Sequence, residues 1–158
     1  MRRAPSGAPV MRIVADTNIV LSGLLWPGPP RRLLDRARER TLTLCTSATL
    51  LAELAEVIAR DKFVQRVQAA GLSAAELVQD YERLAEIVEP EPLPAPVSRD
   101  PDDDHVIACA LSARARLIVS RDKDLLDLHP YQGIPILVSA EALQYLDAKA
   151  TESSAPAH

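Results

Sequence analysis

The chain has 158 residues, 47% of them hydrophobic and 25% charged, with a mean hydropathy of -0.01, which fits one domain with a sizeable core. No apolar run approaches the roughly 20 residues of a membrane span, and Met1 to Val10 lacks the apolar core of a signal peptide, so a cytoplasmic protein without a membrane partner is expected. The net charge of -4 excludes a protein that grips long stretches of nucleic acid by bulk positive charge; it does not exclude a nuclease, because cations held by carboxylates reverse the local sign.

Aromatic residues make up only 3% of the chain, which argues against base stacking as a major recognition device. Cys45 and Cys109 lie far apart without C-x-x-C spacing and read as small buried hydrophobes rather than as metal or redox sulfurs. Met1 to Val10, with Pro5, Gly7 and Pro9 and with Met11 as a possible start, reads as a disordered leader.

Ile13-Val14-Ala15 is an apolar run that ends in Asp16-Thr17-Asn18. Strands covered on both faces read as continuous apolar runs, and open α/β sheets bind ligands at the carboxyl ends of their strands. Asp16 therefore reads as an active-site carboxylate, although an Asp after a strand is also an ordinary helix cap. Ile19 to Leu25 follows as a short helix stopped at Trp26-Pro27-Gly28-Pro29-Pro30.

Arg31 to Arg40 forms a helix whose Arg32, Arg36, Arg38 and Arg40 make either a solvated face or a positive lip beside an acidic cleft. Thr41 to Thr46 alternates as a second strand. Ser47 caps a helix over Ala48 to Arg60, on which Glu53 falls inside the apolar arc and Glu56 faces solvent. A carboxylate there wants a partner, either an Arg or a metal.

Phe63 to Ala70 and Ser73 to Val88 read as scaffold helices, the second opened by a Ser73/Glu76 capping box. Ile87 to Glu89 is a brief third strand before a stiff proline-rich connection. Asp100 to His105 then opens a buried helix, and the helix dipole accounts for one or two of its four acids but poorly for all of them. Leu117 to Ser120 repeats the pattern of the first strand and ends in Arg121-Asp122-Lys123-Asp124. Ile134 to Val138, interrupted by Pro135, suits an edge strand; Ala140 to Ala148 is a closing helix, and Lys149 to His158 a polar tail.

Strands alternating with helices imply right-handed crossovers and a mainly parallel sheet with helices on both faces. Asp16 and Asp122 would share one rim, within reach of Glu53 and the acidic helix start. Carboxylates gathered this way repel one another unless cations sit among them, and oxygen-only ligands point to Mg²⁺ or Mn²⁺. Such a site suits in-line phosphodiester hydrolysis with two ions roughly 4 Å apart. A phosphatase with nucleophilic Asp16 is disfavoured by Asn18, which stands where a second Asp is wanted. Dinucleotide binding is disfavoured by the lack of a Gly-rich turn after the first strand.

Val14 to Asn18, Ser47 to Leu54, Asp100 to Ala110 and Val119 to Leu126, taken in that order, resemble the PIN-domain nucleases, and more narrowly the VapC-like toxin components of bacterial toxin-antitoxin pairs. The resemblance implies a three-layer α/β/α domain over residues 11–148, between a disordered leader (1–10) and a disordered tail (149–158). It also implies a Mg²⁺- or Mn²⁺-dependent endoribonuclease with Asp16, Glu53, Asp103 and Asp122 as its acids. A small residue seven positions after the central acid is a family feature, and Asp103 to Ala110 fits it. Asp104 is the rival, because adjacent helical residues point about 100° apart; it is kept as an outer or water-mediated metal partner beside Asp16, Asp103 and Asp122. Thr17, Asn18 and Ser120 resemble the family's polar supports, and Asp124 either assists or caps the turn after it. An RNA substrate, a cognate antitoxin and a homodimer are the implied partners. The main alternative is a non-catalytic PIN scaffold that binds RNA or protein.

Overall fold

The computed structural model describes residues 10–154; residues 1–9 of the expected leader and the last four of the tail lie outside the described residues. Five strands, β1 (Met11–Ala15), β2 (Leu42–Thr46), β3 (Glu86–Ile87), β4 (Leu117–Val119) and β5 (Ile136–Leu137), form one sheet in the order β3-β2-β1-β4-β5. Every pairing is parallel. The sheet is thus wholly rather than mainly parallel, as the helical crossovers require.

The apolar runs divide cleanly between two faces. Ile13 and Ala15 of β1, Leu42 and Leu44 of β2, and Leu117 and Val119 of β4 enter one core, together with helices α1 (Thr17–Leu25), α2 (Pro29–Arg38), α5 (Ala74–Leu84) and α8 (Ser139–Ser154). Val14, Cys45, Ile118 and Ile136 enter the other, beneath α6 (Pro101–Ala113) and α7 (Lys123–Leu126). α3 (Ala48–Ile58) spans both, placing Leu50 in the second core and Leu54 and Ile58 in the first. The result is the three-layer α/β/α arrangement, and both cysteines are buried without a disulfide.

The capping signals hold where the chain is locally in charge. Ser47 accepts the amide of Leu50 (3.2 Å), and Ser73 and Glu76 close a reciprocal box at the start of α5. Boundaries set by long-range contact shift. The Phe63–Ala70 helix is a 3₁₀ turn (Asp61–Phe63) followed by α4 (Val64–Ala69). The Ser73–Val88 helix stops at Leu84, because Glu86 and Ile87 pair with Cys45 and Thr46 on β2. Pro135 is tolerated beside edge strand β5, where its carbonyl accepts the Ile118 amide (2.9 Å). The polar tail is a correction: α8 continues through Ser154, held by a Lys149–Glu152 pair and by the Thr151 hydroxyl donating to the Asp147 carbonyl.

One feature near the site is steric. Gly23 lets α1 approach α2, for an added Cβ would meet Leu34 Cδ1 at 2.8 Å and the Pro30 carbonyl at 3.0 Å. Gly23→Val gains little in helix propensity and must displace backbone. It is expected to cost about 2 kcal/mol, seen as a fall of about 4–8 °C in thermal midpoint by differential scanning calorimetry. Among the described residues, no helix is long and apolar enough to cross a membrane.

Candidate functional site

The order of strand addition reverses between β1 and β4, since β2 and β3 follow on one side of β1 and β5 lies on the other side of β4. The carboxyl ends of strands at such a reversal are where open α/β sheets bind ligands. Ala15 is in register with Val119, and the Asp16 amide donates to the Val119 carbonyl at 2.9 Å. Asp16 and Ser120 therefore leave the sheet side by side.

Hydrogen bonding separates the acids that cap from the acids that do something else. Asp16 occupies the N-cap position of α1 but makes no side-chain cap bond; its Oδ2 accepts the Ser120 hydroxyl at 2.8 Å instead. Ser120, fully buried, also accepts the Asp122 amide through Oγ (2.9 Å) and so ties two acids to one hydroxyl. In α6 the capping duty falls to Asp100, whose carboxylate accepts the Asp102 amide at 3.0 Å. Asp103 is left 3% exposed, its Oδ2 accepting the Ser98 hydroxyl at 3.0 Å.

Asp16, Asp103 and Asp122 thereby bring carboxylate oxygens within 4.8 Å of one another. Asp104 does not join them. Its two oxygens accept the backbone amides of Val97 (3.1 Å) and Ser98 (2.8 Å), tying the proline-rich connection to α6. One step along the helix turns its side chain from the cluster to the loop. Asp124 contributes its amide to Asp122 Oδ1 (3.0 Å), so Asp122 caps α7 while facing the cluster.

Glu53 and Asn18 line the same cleft, of about 1050 Å³. Glu53 lies outside the close triad and has no Arg partner among the described residues. The Thr17 hydroxyl is buried without a close hydrogen-bond partner; it faces Glu53 at longer range.

The electrostatics match the geometry. Burial raises the pKa of Asp16, opposed by the Ser120 hydroxyl and the Thr17 amide and reinforced by Asp122. Burial also raises Glu53, with Thr17 opposing and Asp102 and Asp16 adding. Asp103 is pushed up to about 7, first by burial and then by the neighbouring Asp122 carboxylate, with the Ser98 hydroxyl opposing. Carboxyls at Asp16, Glu53 and Asp103 that resist ionisation, with the orphaned Thr17 hydroxyl beside them, fit a divalent cation bound by oxygen. Asp16, Asp103 and Asp122 would hold it.

Sequence reasoning missed Ser98, since a serine in a proline-rich connection carries no local signal of its contact with Asp103. It also passed over Arg121 and His105, which line the cleft. The basic helix is corrected too. Arg36 pairs with Asp147, and Arg38 with Asp35 and Asp80, so this face is held in structural ion pairs rather than forming a lip of the cleft; Arg60, Lys62 and Arg121 line it instead.

Fold and site together define a three-layer, wholly parallel α/β protein with an oxygen-ligand acidic cleft at its topological switch point. A PIN-domain family model matches residues 12–124, and the chain belongs to that family, whose members are generally nucleases. VapBC2 from Rickettsia felis, solved bound to a DNA fragment from its promoter, is similar over 80% of this chain and 97% of its own, at 14% identity and a TM-score of 0.53. The T. brucei RRP44 PIN domain aligns over 90% of this chain and 84% of its own, at 15% identity and a TM-score of 0.46. No curated protein matches the chain significantly in sequence.

Proposed function

We infer that the protein is a divalent-cation-dependent endoribonuclease, with Mg²⁺ or Mn²⁺ as its cofactor, that works in the cytoplasm as the toxin of a toxin-antitoxin pair. The observation that carries the nuclease reading is the Asp16, Asp103 and Asp122 triad within 4.8 Å at the switch point. Family membership supports the same chemistry. The toxin role with an antitoxin partner takes its support from the similarity to VapBC2; the homodimer rests on the sequence resemblance alone.

The chain's own residues have distinct tasks. Asp16 and Asp103 would hold the cation, and Asp122 would complete the set while fixing α7. Glu53, half-buried in the cleft with a raised pKa, would accept a proton from an attacking water. Ser120 and Ser98 orient the acids by donating to Asp16 and Asp103. Thr17 and Asn18 offer polar groups at the cleft to waters or substrate oxygens. A bound divalent cation supplies Lewis-acid polarisation of the phosphoryl oxygen and makes water acidic enough to attack near neutral pH.

Incubating a mixed structured RNA pool with purified protein, in Mn²⁺ and in EDTA, tests this reading. Cleavage in Mn²⁺ that stops in EDTA is expected. RNA bound but left intact in both would replace the enzyme with a non-catalytic binding scaffold. Asp104→Asn is expected to lose one of two loop hydrogen bonds, costing about 1–3 kcal/mol of stability, while cleavage stays within about tenfold of wild type. A loss as deep as that of Asp103→Asn would return Asp104 to the ligand set.

A further inference from the structure

Part of the cleft lining has no role in holding the carboxylates. Where the end of α1 meets the Asp61–Phe63 turn, Trp26 and Phe63 form a T-shaped pair with ring centroids 6.2 Å apart and planes at 70°. Trp26 is 37% exposed, and both rings line the cleft that contains Asp16, Asp103 and Asp122. The indole thus presents part of a large flat ring to the cleft, with its polar N–H handle.

Two cations attend the pair. The Arg66 guanidinium lies 5.6 Å from the centre of the Trp26 ring, fixed by its Nε donating to the Leu25 carbonyl at 2.6 Å. Lys62 Nζ lies 5.2 Å from the centre of the Phe63 ring. Among the described residues neither has a carboxylate partner, whereas Arg36, Arg38 and Arg60 each do. Cations without a carboxylate partner beside a partly exposed indole, Lys62 on the cleft wall itself and both in a chain of net charge -4, complement an anion that carries flat π surfaces.

We propose that Trp26, flanked by Lys62 and Arg66, is a base-stacking subsite for single-stranded RNA whose scissile phosphate lies at the carboxylate triad, a placement that rests on the nuclease reading above. One base next to the cut stacks on the indole, and an adjoining phosphate meets Lys62 or Arg66. The subsite selects unpaired RNA, because in an A-form duplex each base face is already covered by its neighbours.

Trp26 is the sole tryptophan of the chain, so its fluorescence reports on this subsite alone. The cleavage-deficient Asp16→Asn protein is titrated with a labelled single-stranded oligoribonucleotide of about ten nucleotides, and with the same strand annealed to its complement. Tryptophan emission and label anisotropy are read together. The single strand is expected to quench emission in step with binding, and the duplex to quench far less. Trp26→Ala is expected to weaken binding about tenfold or more, the size of one lost base stack, and Lys62→Ala to weaken it several-fold with a shallower salt dependence.

Binding by anisotropy without quenching, or equal quenching by the duplex, would overturn the subsite. So would a Trp26 emission that changes with protein concentration but not with RNA, which would make the corner a contact between copies of the chain. Should Trp26→Ala fail to fold, the Lys62→Ala titration and the quenching of intact Trp26 still decide the matter. Because binding is read without cleavage, a failed subsite and a failed nuclease assignment remain distinguishable.

Discussion

Asp16→Asn and Asp103→Asn will each reduce metal-dependent RNA cleavage by at least about a thousandfold, a loss of ~4 kcal/mol of transition-state stabilisation, and both proteins will remain folded. Each change removes one negative charge from a triad whose oxygens lie within 4.8 Å, so the cation loses a ligand and the scissile phosphate its electrostatic anchor. Shape is kept. An Asn at position 16 still offers an oxygen to the Ser120 hydroxyl, and one at position 103 still accepts from Ser98. Initial rates in Mn²⁺, with circular dichroism as the check on folding, measure the effect. Near-wild-type rates in both variants would dismiss the triad as the reactive centre.

The cation-free protein will lose stability as pH rises from about 5 to 8, and Mg²⁺ or Mn²⁺ will restore it, with the largest gain at the alkaline end. The sign follows from the direction of the shifts. Asp16, Glu53 and Asp103 all have raised pKa values in the folded chain, Asp103 to about 7. The folded state therefore holds more protons than the unfolded chain, whose carboxyls titrate near 4. The stabilisation from those protons is complete below the unfolded value and is lost as pH rises through the folded one. Glu76 and Glu86, with lowered values, act only at the acid end, where their contribution is lost as pH falls. A cation competes with these protons and binds only the assembled cleft, so it takes over the stabilising role where the protons leave.

Thermal midpoints across this pH range, with EDTA or with millimolar metal, read out both effects. Asp103→Asn should flatten the cation-free profile and raise its midpoint at pH 8 by a few degrees, since it removes buried like-charge repulsion. A metal-induced shift that is absent at pH 8, or larger at pH 6 than at pH 8, would exclude a cation held by these acids.

Much of this was written locally. Apolar runs followed by Asp16 and by Ser120-Arg121-Asp122 announced two covered strands delivering carboxylates to one rim, and register pairing of Ala15 with Val119 places them side by side. Ser47, Ser73 and Glu76 announced helix starts through bonds that span only three residues. The order of strands and helices by itself implied a parallel α/β sheet, because a parallel connection needs a crossover.

Other features depended on groups distant in sequence. Nothing in the run Asp100 to Asp104 says which acid caps, which faces the cleft and which ties down a loop; the sorting was decided by Ser98, Val97 and Asp122 as they came into range. The arginines on α2 read first as a solvated face and second as a positive lip, and Asp80 and Asp147 arrived as partners only with the fold. The aromatic content argued against stacking, yet composition counts rings and cannot place them: the fold sets Trp26 and Phe63 together in the cleft. Periodicity and capping act over one or two turns of chain, and these the sequence determined. The choice among chemically equivalent acids, cations and rings is made by long-range contacts, which only the tertiary structure supplies.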